Sequence, residues 1–512
     1  MPRQTYKGAL MQTTSHKTLI LLTILLSVFV VPSSISGTAI ALPYIARDLG
    51  DEASLLQWVV NAFNLFFACF TLIWGSFSDR FGATRALRFG VGLFLLGSLV
   101  SSFATSLIML DIGRAVAGIG GASVFACGSA ILLKSFDEKE RLKAFAFFGT
   151  TAGLGITLGP TLSGLLIDSF KDMAMGKAII SWRAIFALHF IILALVLLLS
   201  KILPQDSHDT QNKENLVKSR FDYSGAILFV LCIFGLMLSI TRLSHLDSIT
   251  LAIFLISLAS GIALVLHQKR LHSLGHTPLL DFALLKNKAF FGFSLVAVIS
   301  GFSFVVLLTY FPTFLQVVFS FSASFSGVFM LSLTMPMLFC PFLAGKLLSK
   351  GVNSRLIALI MSLMMSVGIF ALLASLLLEN ESLKLACMIL SLFIIGCGMG
   401  LHAGGIDNLA LSSLKGENVG LGAGLLNTLR LGSESIGVAL YASLMVVFIA
   451  MAGLTDSHTR ALASGNIASL QDISKEILIN IYQESFIYTL TICGILCLVL
   501  SLFVWGLLKK YK

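Results

Sequence analysis

Long apolar runs alternate along this chain with short polar breaks, and each run is about as long as a helix needs to cross a bilayer, roughly 20 residues. Fourteen such runs can be drawn, at 18–43, 54–76, 86–105, 108–133, 143–167, 181–200, 224–242, 248–267, 289–318, 324–348, 355–378, 384–411, 419–451 and 485–507. They predict an all-α integral membrane protein of about fourteen crossings. The first run, LILLTILLSVFVV after Lys17, continues through Ala41 without a convincing cleavage site, so it is expected to stay as a helix rather than leave as a signal peptide.

Composition agrees with this pattern. Of 512 residues 57% are hydrophobic and 12% charged, with a mean hydropathy of +0.94. No ordinary soluble domain has that balance. With the N-terminus inside, 25 of the 35 Lys and Arg fall on inner segments, eight fall outside, and Arg114 and Arg430 fall within runs. That asymmetry puts both termini in the cytoplasm. Trp58, Trp74, Trp182 and Trp505 all lie near predicted helix ends, where amphipathic rings settle. The net charge of +10 is therefore loop charge and argues against a nucleic-acid partner. The eight cysteines lie within runs without CxxC or His/Cys spacing, so they read as small buried hydrophobes and no metal site is expected.

GTTAGLGITLGPTLSG, residues 149–164, concentrates glycine in the fifth run. At 100° per residue, Gly149, Gly153, Pro160 and Gly164 fall within roughly 60° of one another, with Gly155 and Gly159 flanking the arc. A face so bare lets a neighbouring helix approach closely, either as a static packing seam or as a gate. A faint repeat links GSFSDRFGATR (75–85) to GKLLSKGVNSR (345–355), pairing Gly75 with Gly345, Arg80 with Lys350 and Arg85 with Arg355. Each copy is the second loop of a six-helix set if runs seven and eight are an insert. The expected organisation is a six-helix bundle over 1–200, a linker with two extra helices over 201–288, and a six-helix bundle over 289–512. Such duplication suggests alternating access about a midplane site.

These segments, taken in order, resemble the fourteen-helix drug:proton antiporter branch of the major facilitator superfamily. GSFSDRFGATR looks like its loop motif, with Asp79, Arg80 and Gly82 in place and Ala83 and Thr84 where basic residues are usual. DIGRAVAGIGGA (111–122) resembles its fourth-helix motif, whose arginine falls on Arg114, and GLGITLGPTLSG resembles its fifth-helix antiporter motif, with Ser163 replacing a usual glycine. SWRAIF at Ser181 and LNTLRLGSESIGVAL at Leu426 are similar to its sixth- and thirteenth-helix signatures. The resemblance implies a major-facilitator-type fold, an outer hinge at Gly159-Pro160, a cytoplasmic latch built on Gly75, Asp79, Arg80, Gly82 and Arg85, and an Arg114 that faces the cavity.

Charges inside spans are costly and are functional candidates by default. Asp111 lies three residues before Arg114, where it is placed to neutralise it. Arg430 and Glu434 are one turn apart on the thirteenth run, and Asp407 is the other carboxylate well inside a span, with His402 as a relay candidate. The proton-coupling candidates are thus Arg114, Glu434, Asp407, Arg430 and Asp111. Family members commonly carry an acid in the first helix where this chain has Ser34, within PSSISGTAIALP. Without that carboxylate, neutral, zwitterionic and anionic substrates are as plausible as cations. Phe63, Phe66, Phe67 and Phe70 on the second run and Phe302, Phe304, Phe311 and Phe314 on the ninth offer aromatic walls. In the outer loop 453–484, Ile473, Ile477, Leu478 and Ile481 predict a short amphipathic surface helix.

The chain has no GxxxxGK[ST], HExxH or GxSxG, so neither an ATP-driven pump nor an enzyme is expected, and no catalytic residue is assigned. The expectation is a monomeric, multi-pass exporter of amphipathic small molecules in the lipid bilayer of a bacterial cytoplasmic membrane. It would run on the proton gradient, with no cofactor. A solute:proton symporter or a non-transporting sensor on the same fold are the alternatives.

Overall fold

The computed structural model describes residues 3–50, 52–171, 173–175, 178–204, 222–242, 247–274, 280, 282–414, 419–467, 470 and 472–510. Apolar side chains in lipid leave the backbone to satisfy its own hydrogen bonds, and helices do this. The N-terminal set is α1 (Arg3–Leu49), α2 (Ala53–Phe81), α3 (Ala83–Ser102), α4 (Leu107–Ser135), α5 (Glu138–Ser169) and α6 (Arg183–Leu199). Next come α7 (Tyr223–Thr241) and α8 (Ser248–Ser273). The C-terminal set is α9 (Lys288–Val318), α10 (Ala323–Leu348), α11 (Ser354–Leu376), α12 (Glu381–Ser412), α13 (Val419–Met451) and α14 (Lys475–Leu507). Among the described residues, thirteen of these helices are long and apolar enough to cross a membrane; α2, with a shorter apolar stretch at Leu55–Thr71, takes up the remaining predicted run.

Within the N-terminal set α3 and α2 pack on α4, and α5 packs on α1. In the C-terminal set α12 packs on α10 and α11, and α11 on α14. Between the sets, α5 meets α10 and α2 meets α13, while α7 lies against both α2 and α13. The α7–α8 pair is thus peripheral. Ile249, Leu251, Leu255, Ile256, Ile262 and Leu266 of α8 remain exposed, as side chains facing acyl chains would be.

Each of the two related loops turns at a glycine with positive φ, one position apart in the aligned segments. Gly82 closes α2 at φ 97° with its N–H donated to Ser78 O at 3.0 Å, and Gly351 follows α10 at φ 75°. Both backbones are in a region that glycine enters without steric cost.

One expectation is corrected. The segment Ile473–Ile481 is not a separate surface helix: Ser474 accepts from the Ile477 N–H, and α14 runs unbroken from Lys475. The separate short helix of this loop is Asp456–Ala463, capped by Thr455. A small hairpin, β1 (Ala174–Met175) with β2 (Ala178–Ile179), sits between α5 and α6 and is the sole strand pair among the described residues.

Candidate functional site: the seam and the buried polar groups between the helix sets

The glycine face of α5 divides in two. A Cβ at Gly155 would come within 2.6 Å of Phe29 O, and one at Gly159 within 3.1 Å of Ser33 Cα, so these two glycines admit α1 of the same set. Gly153, Pro160 and Gly164 turn instead to α10. A Cβ at Gly327 would lie 2.6 Å from Pro160 O, and one at Gly164 would strike Ala323 O. Such proximity is the means by which small residues bring helices together in lipid.

This second face is tight outside and loose inside. Asp168 Oδ2 accepts the N–H of Ser324 at 2.9 Å, Thr161 donates to Gly327 O at 3.1 Å, and Thr157 donates to Thr334 O at 3.1 Å. Further inward, a Cβ at Gly153 would find Met337 O at 3.5 Å, and one at Gly149 would find nothing within 4 Å. Gln316 adds an outer bond to Ile40 O at 3.3 Å. The helix sets therefore meet at the outer side of this seam and part toward the cytoplasm. Of the latch residues, Gly75 has no neighbour within 4 Å of a built Cβ and Arg85 is exposed; the side chains of Asp79 and Arg80 lie outside those described.

Arg114 sits two turns into α4 and is 1% exposed. Its Nε donates to Val59 O at 2.8 Å, Nη1 to Ser34 Oγ at 2.6 Å and Nη2 to Ser34 O at 3.3 Å. Phe63 lies under the guanidinium at 4.5 Å and Phe186 at 5.6 Å. Asp111 does not pair with it: no ion pair joins the two, and Asp111 Oδ1 is buried without a hydrogen-bond partner. The helix spacing put the acid on the correct side, but the arginine extends toward α1 and α2. At the outer rim, Asp48 of α1 pairs with Arg183 and accepts from Trp182 Nε1 at 3.0 Å, while Arg183 also donates to Ala104 O at 2.6 Å. The SWRAIF segment thus ties the outer ends of α1, α3 and α6 together.

On α13, Glu434 is half-buried where α9 packs closely against the helix. There α9 carries a π-helical turn, Gly301–Val305, and a Cβ at Gly301 would be 2.7 Å from Glu434 N. Such turns recur at functional sites. Arg430 precedes Glu434 by one turn and is close enough to act on it electrostatically. His402 on α12 is 1% exposed, and the side chain of Asp407 lies outside those described.

The sequence reading passed over three carboxamides. Gln57, Asn61 and Asn64 stand at i, i+4 and i+7 on one face of α2, at 8%, 0% and 5% exposure. Gln57 Oε1, both polar atoms of Asn61 and Asn64 Nδ2 are buried without partners. The signal was legible in QWVVNAFN as polar residues at helical spacing within an apolar span.

Comparison with known proteins fits this geometry. The description of the Major Facilitator Superfamily matches residues 24–438. The chain is 27% identical to "Multidrug resistance protein Stp" of Mycobacterium tuberculosis, over 80% of this chain and 72% of that one. It is 27% identical to "Riboflavin transporter RibZ" of Clostridioides difficile, over 87% and 92%. Among solved structures, a bacterial homolog of the human lysosomal transporter Spinster, in an inward-facing form, superposes with a TM-score of 0.67 at 14% identity over 97% of this chain and 98% of that one.

Proposed function

Because the chain belongs to the major facilitator superfamily, and so is a multi-pass membrane transporter with bacterial relatives, we propose that it is a proton-coupled exporter of amphipathic small molecules working by alternating access. The observation that carries this reading is the graded α5–α10 seam, closed by Asp168, Thr161 and Thr157 and open at Gly149. A static seam would be expected to pack along its whole length. A rocking one needs small residues at its pivot and separable polar contacts at its ends.

Proton entry is assigned to the ionisable residues within the spans. Arg114, with Asp111 unpaired one turn away, is one half of it, and Glu434 beside Arg430 with Asp407 on α12 is the other. An acid whose proton is lost or gained as its surroundings change can link the pH gradient to the position of the seam. No cofactor is required, since the proton gradient supplies the work. Ser34 in place of an acid favours uncharged or anionic substrates over lipophilic cations, and the name of the riboflavin-transporting relative is in keeping with that.

The experiment is proton flux in proteoliposomes of known orientation, under an imposed pH gradient, with neutral, anionic and cationic amphiphiles added in turn and Arg114→Ala as control. Substrate-dependent proton movement opposite to the solute, lost in the variant, is the expected result. Movement of both in the same direction makes the protein a symporter and overturns the export reading.

A further inference from the structure

A cavity of about 30 Å³ lies in the outer half of the interface between the helix sets, bounded by α1, α2, α9, α13, α14 and the short helix Asp456–Ala463. Among its lining residues are Gln57, Tyr310, Thr313, Tyr441, Tyr482 and Ser464, and none of its lining side chains is charged. Four of its polar atoms, Gln57 Oε1, Tyr310 OH, Thr313 Oγ1 and Tyr441 OH, are buried without hydrogen-bond partners. Unpaired polar atoms are costly to bury, and in folded proteins they are few. Here they converge from three helices on one space. The Tyr310 and Tyr441 rings are stacked, with centroids 4.6 Å apart and planes inclined by 18°, so a flat apolar wall stands beside those polar atoms.

The roof of this space is a folded element with a defined turn. Thr459, Ala461 and Leu462 of the short helix are buried beneath it. Its C-terminal turn is made at Gly465, at φ 80°, whose N–H donates to Leu462 O at 3.0 Å. A Cβ at Gly465 would come within 2.8 Å of Thr313 and 3.3 Å of Pro43, so the turn rests directly on α9 and α1. The helix is tethered from outside by His458 Nε2 to Asp472 Oδ2, at 3.2 Å. In the other direction Asn61 and Asn64 continue the Gln57 face inward along about 10 Å of α2, leaving a track of neutral donors and acceptors below the cavity.

We propose that Gln57, Tyr310, Thr313 and Tyr441 form an outer binding subsite for the uncharged, hydrogen-bonding ring system of an aromatic substrate, and that Asp456–Ala463 with Ser464 is its lid. In the conformation described, the cavity has room for water rather than for a ring. The subsite expands when Asp168 and its neighbours release the outer seam, and the lid then governs departure. A planar cation finds no carboxylate here, whereas an imide, amide or phenol finds both donors and acceptors. This assignment rests on the exporter reading for its place in the transport cycle, but not for binding itself.

The test uses the purified full chain in detergent, with riboflavin as an uncharged fused-ring probe bearing imide and hydroxyl groups, and ethidium as a planar cation. Fluorescence titration is expected to show riboflavin bound at least tenfold more tightly than ethidium. Tyr441→Phe and Gln57→Leu, each removing polar atoms with little change in shape, should weaken riboflavin roughly fivefold to tenfold and leave ethidium unchanged. Failure of the unaltered chain to bind riboflavin, or unaltered riboflavin binding in both variants at a normal elution volume, overturns the subsite. Riboflavin should also slow maleimide labelling of Ser464→Cys at least fivefold, and an unchanged rate at saturation overturns the lid. Intact binding with these variant effects but no riboflavin-driven proton flux would overturn the exporter reading alone. Riboflavin-driven flux that is indifferent to Tyr441→Phe and Gln57→Leu would overturn the subsite alone.

Discussion

Arg114 is joined to Ser34 by a 2.6 Å hydrogen bond from its Nη1 to the serine Oγ, reinforced by a 3.3 Å bond from Nη2 to the serine carbonyl. A buried guanidinium is thereby satisfied by neutral oxygens of α1 and α2, with Phe63 stacked beneath it. Relatives with an acid in this helix would present an ion pair at the same place. This chain presents a guanidinium held by neutral oxygens, with Asp111 one turn away as the acid that acts on it electrostatically, and the proposed charge preference rests on that arrangement.

Supplying the missing charge should reverse the preference. Ser34→Asp is expected to raise the ratio of ethidium to riboflavin transport by about tenfold, the effect of roughly 1.4 kcal/mol of differential interaction. Ser34→Ala should leave the ratio unchanged while lowering both rates. Competition uptake in everted vesicles reads both quantities.

The outer clasp should set the balance between conformations. Removing the Asp168 carboxylate forfeits a charge-assisted bond to Ser324 N–H at the start of α10. Such bonds contribute about 1.5–3 kcal/mol, which shifts a two-state equilibrium by roughly tenfold or more. Asp168→Ala is expected to speed labelling of Thr161→Cys by an impermeant reagent from the outer side by that factor. An unchanged rate would show that the clasp does not hold the seam.

Crowding the seam should have the same sign and a larger functional cost. With Pro160 O only 2.6 Å from a Cβ at Gly327, Gly327→Val has no room in the closed form. Overpacking of this kind costs about 1–3 kcal/mol. Transport should fall by roughly tenfold to a hundredfold, with membrane insertion retained. Gly149→Ala, where nothing lies within 4 Å, should transport normally in the same assay.

The rim pair should matter for stability rather than for coupling. Asp48 and Arg183 are both about nine-tenths buried as side chains. Removing one partner of a buried pair costs about 3–5 kcal/mol, so Arg183→Ala should lower the Tm in detergent by several degrees. Asp48→Asn, which keeps an acceptor for Trp182, should lower it less.

The cytoplasmic foot of the extra helix pair should show an acid limit. Asp222 caps α7 and also meets His267 at 2.8 Å and Gln268 at 2.6 Å. Burial pushes its carboxyl up, but the Gly225 N–H, His267 and Gln268 together hold it below the usual range. A carboxylate with a depressed pKa stabilises the fold above its unfolded value, about 3.9, and loses that contribution as the pH falls through the folded one. The Tm gap between the unaltered chain and Asp222→Asn should therefore be full at neutral pH and shrink below about pH 4. A gap that widens on acidification would contradict the assignment.

Several of these relationships could be read ahead of the structure and others could not. Glycine at helical spacing on α5 announced a close approach, because a missing side chain is a property of the residue itself. Which neighbour each glycine would admit, α1 for Gly155 and Gly159 or α10 for Pro160 and Gly164, depends on where two other helices lie. Asp111 was expected on Arg114 from a spacing of three residues, yet the long arginine side chain found Ser34 some eighty residues away. Local spacing says which groups can meet along one helix, but not which contact wins when another helix offers a better one.

What the sequence determined by itself was whatever a bilayer imposes segment by segment: the apolar spans, the inward bias of Lys and Arg, and the glycine and proline positions that bend or bare a helix. Each is a transfer cost borne by one stretch of chain and needs no knowledge of its neighbours. Only the tertiary structure decided that α14 begins at Lys475, that the α5 seam closes outside and parts inside, and that Gln57 meets Tyr310 and Tyr441 beneath the Gly465 turn. These are contacts between helices far apart in sequence. In lipid, where apolar surface distinguishes poorly between neighbours, close packing and a few polar atoms select among them.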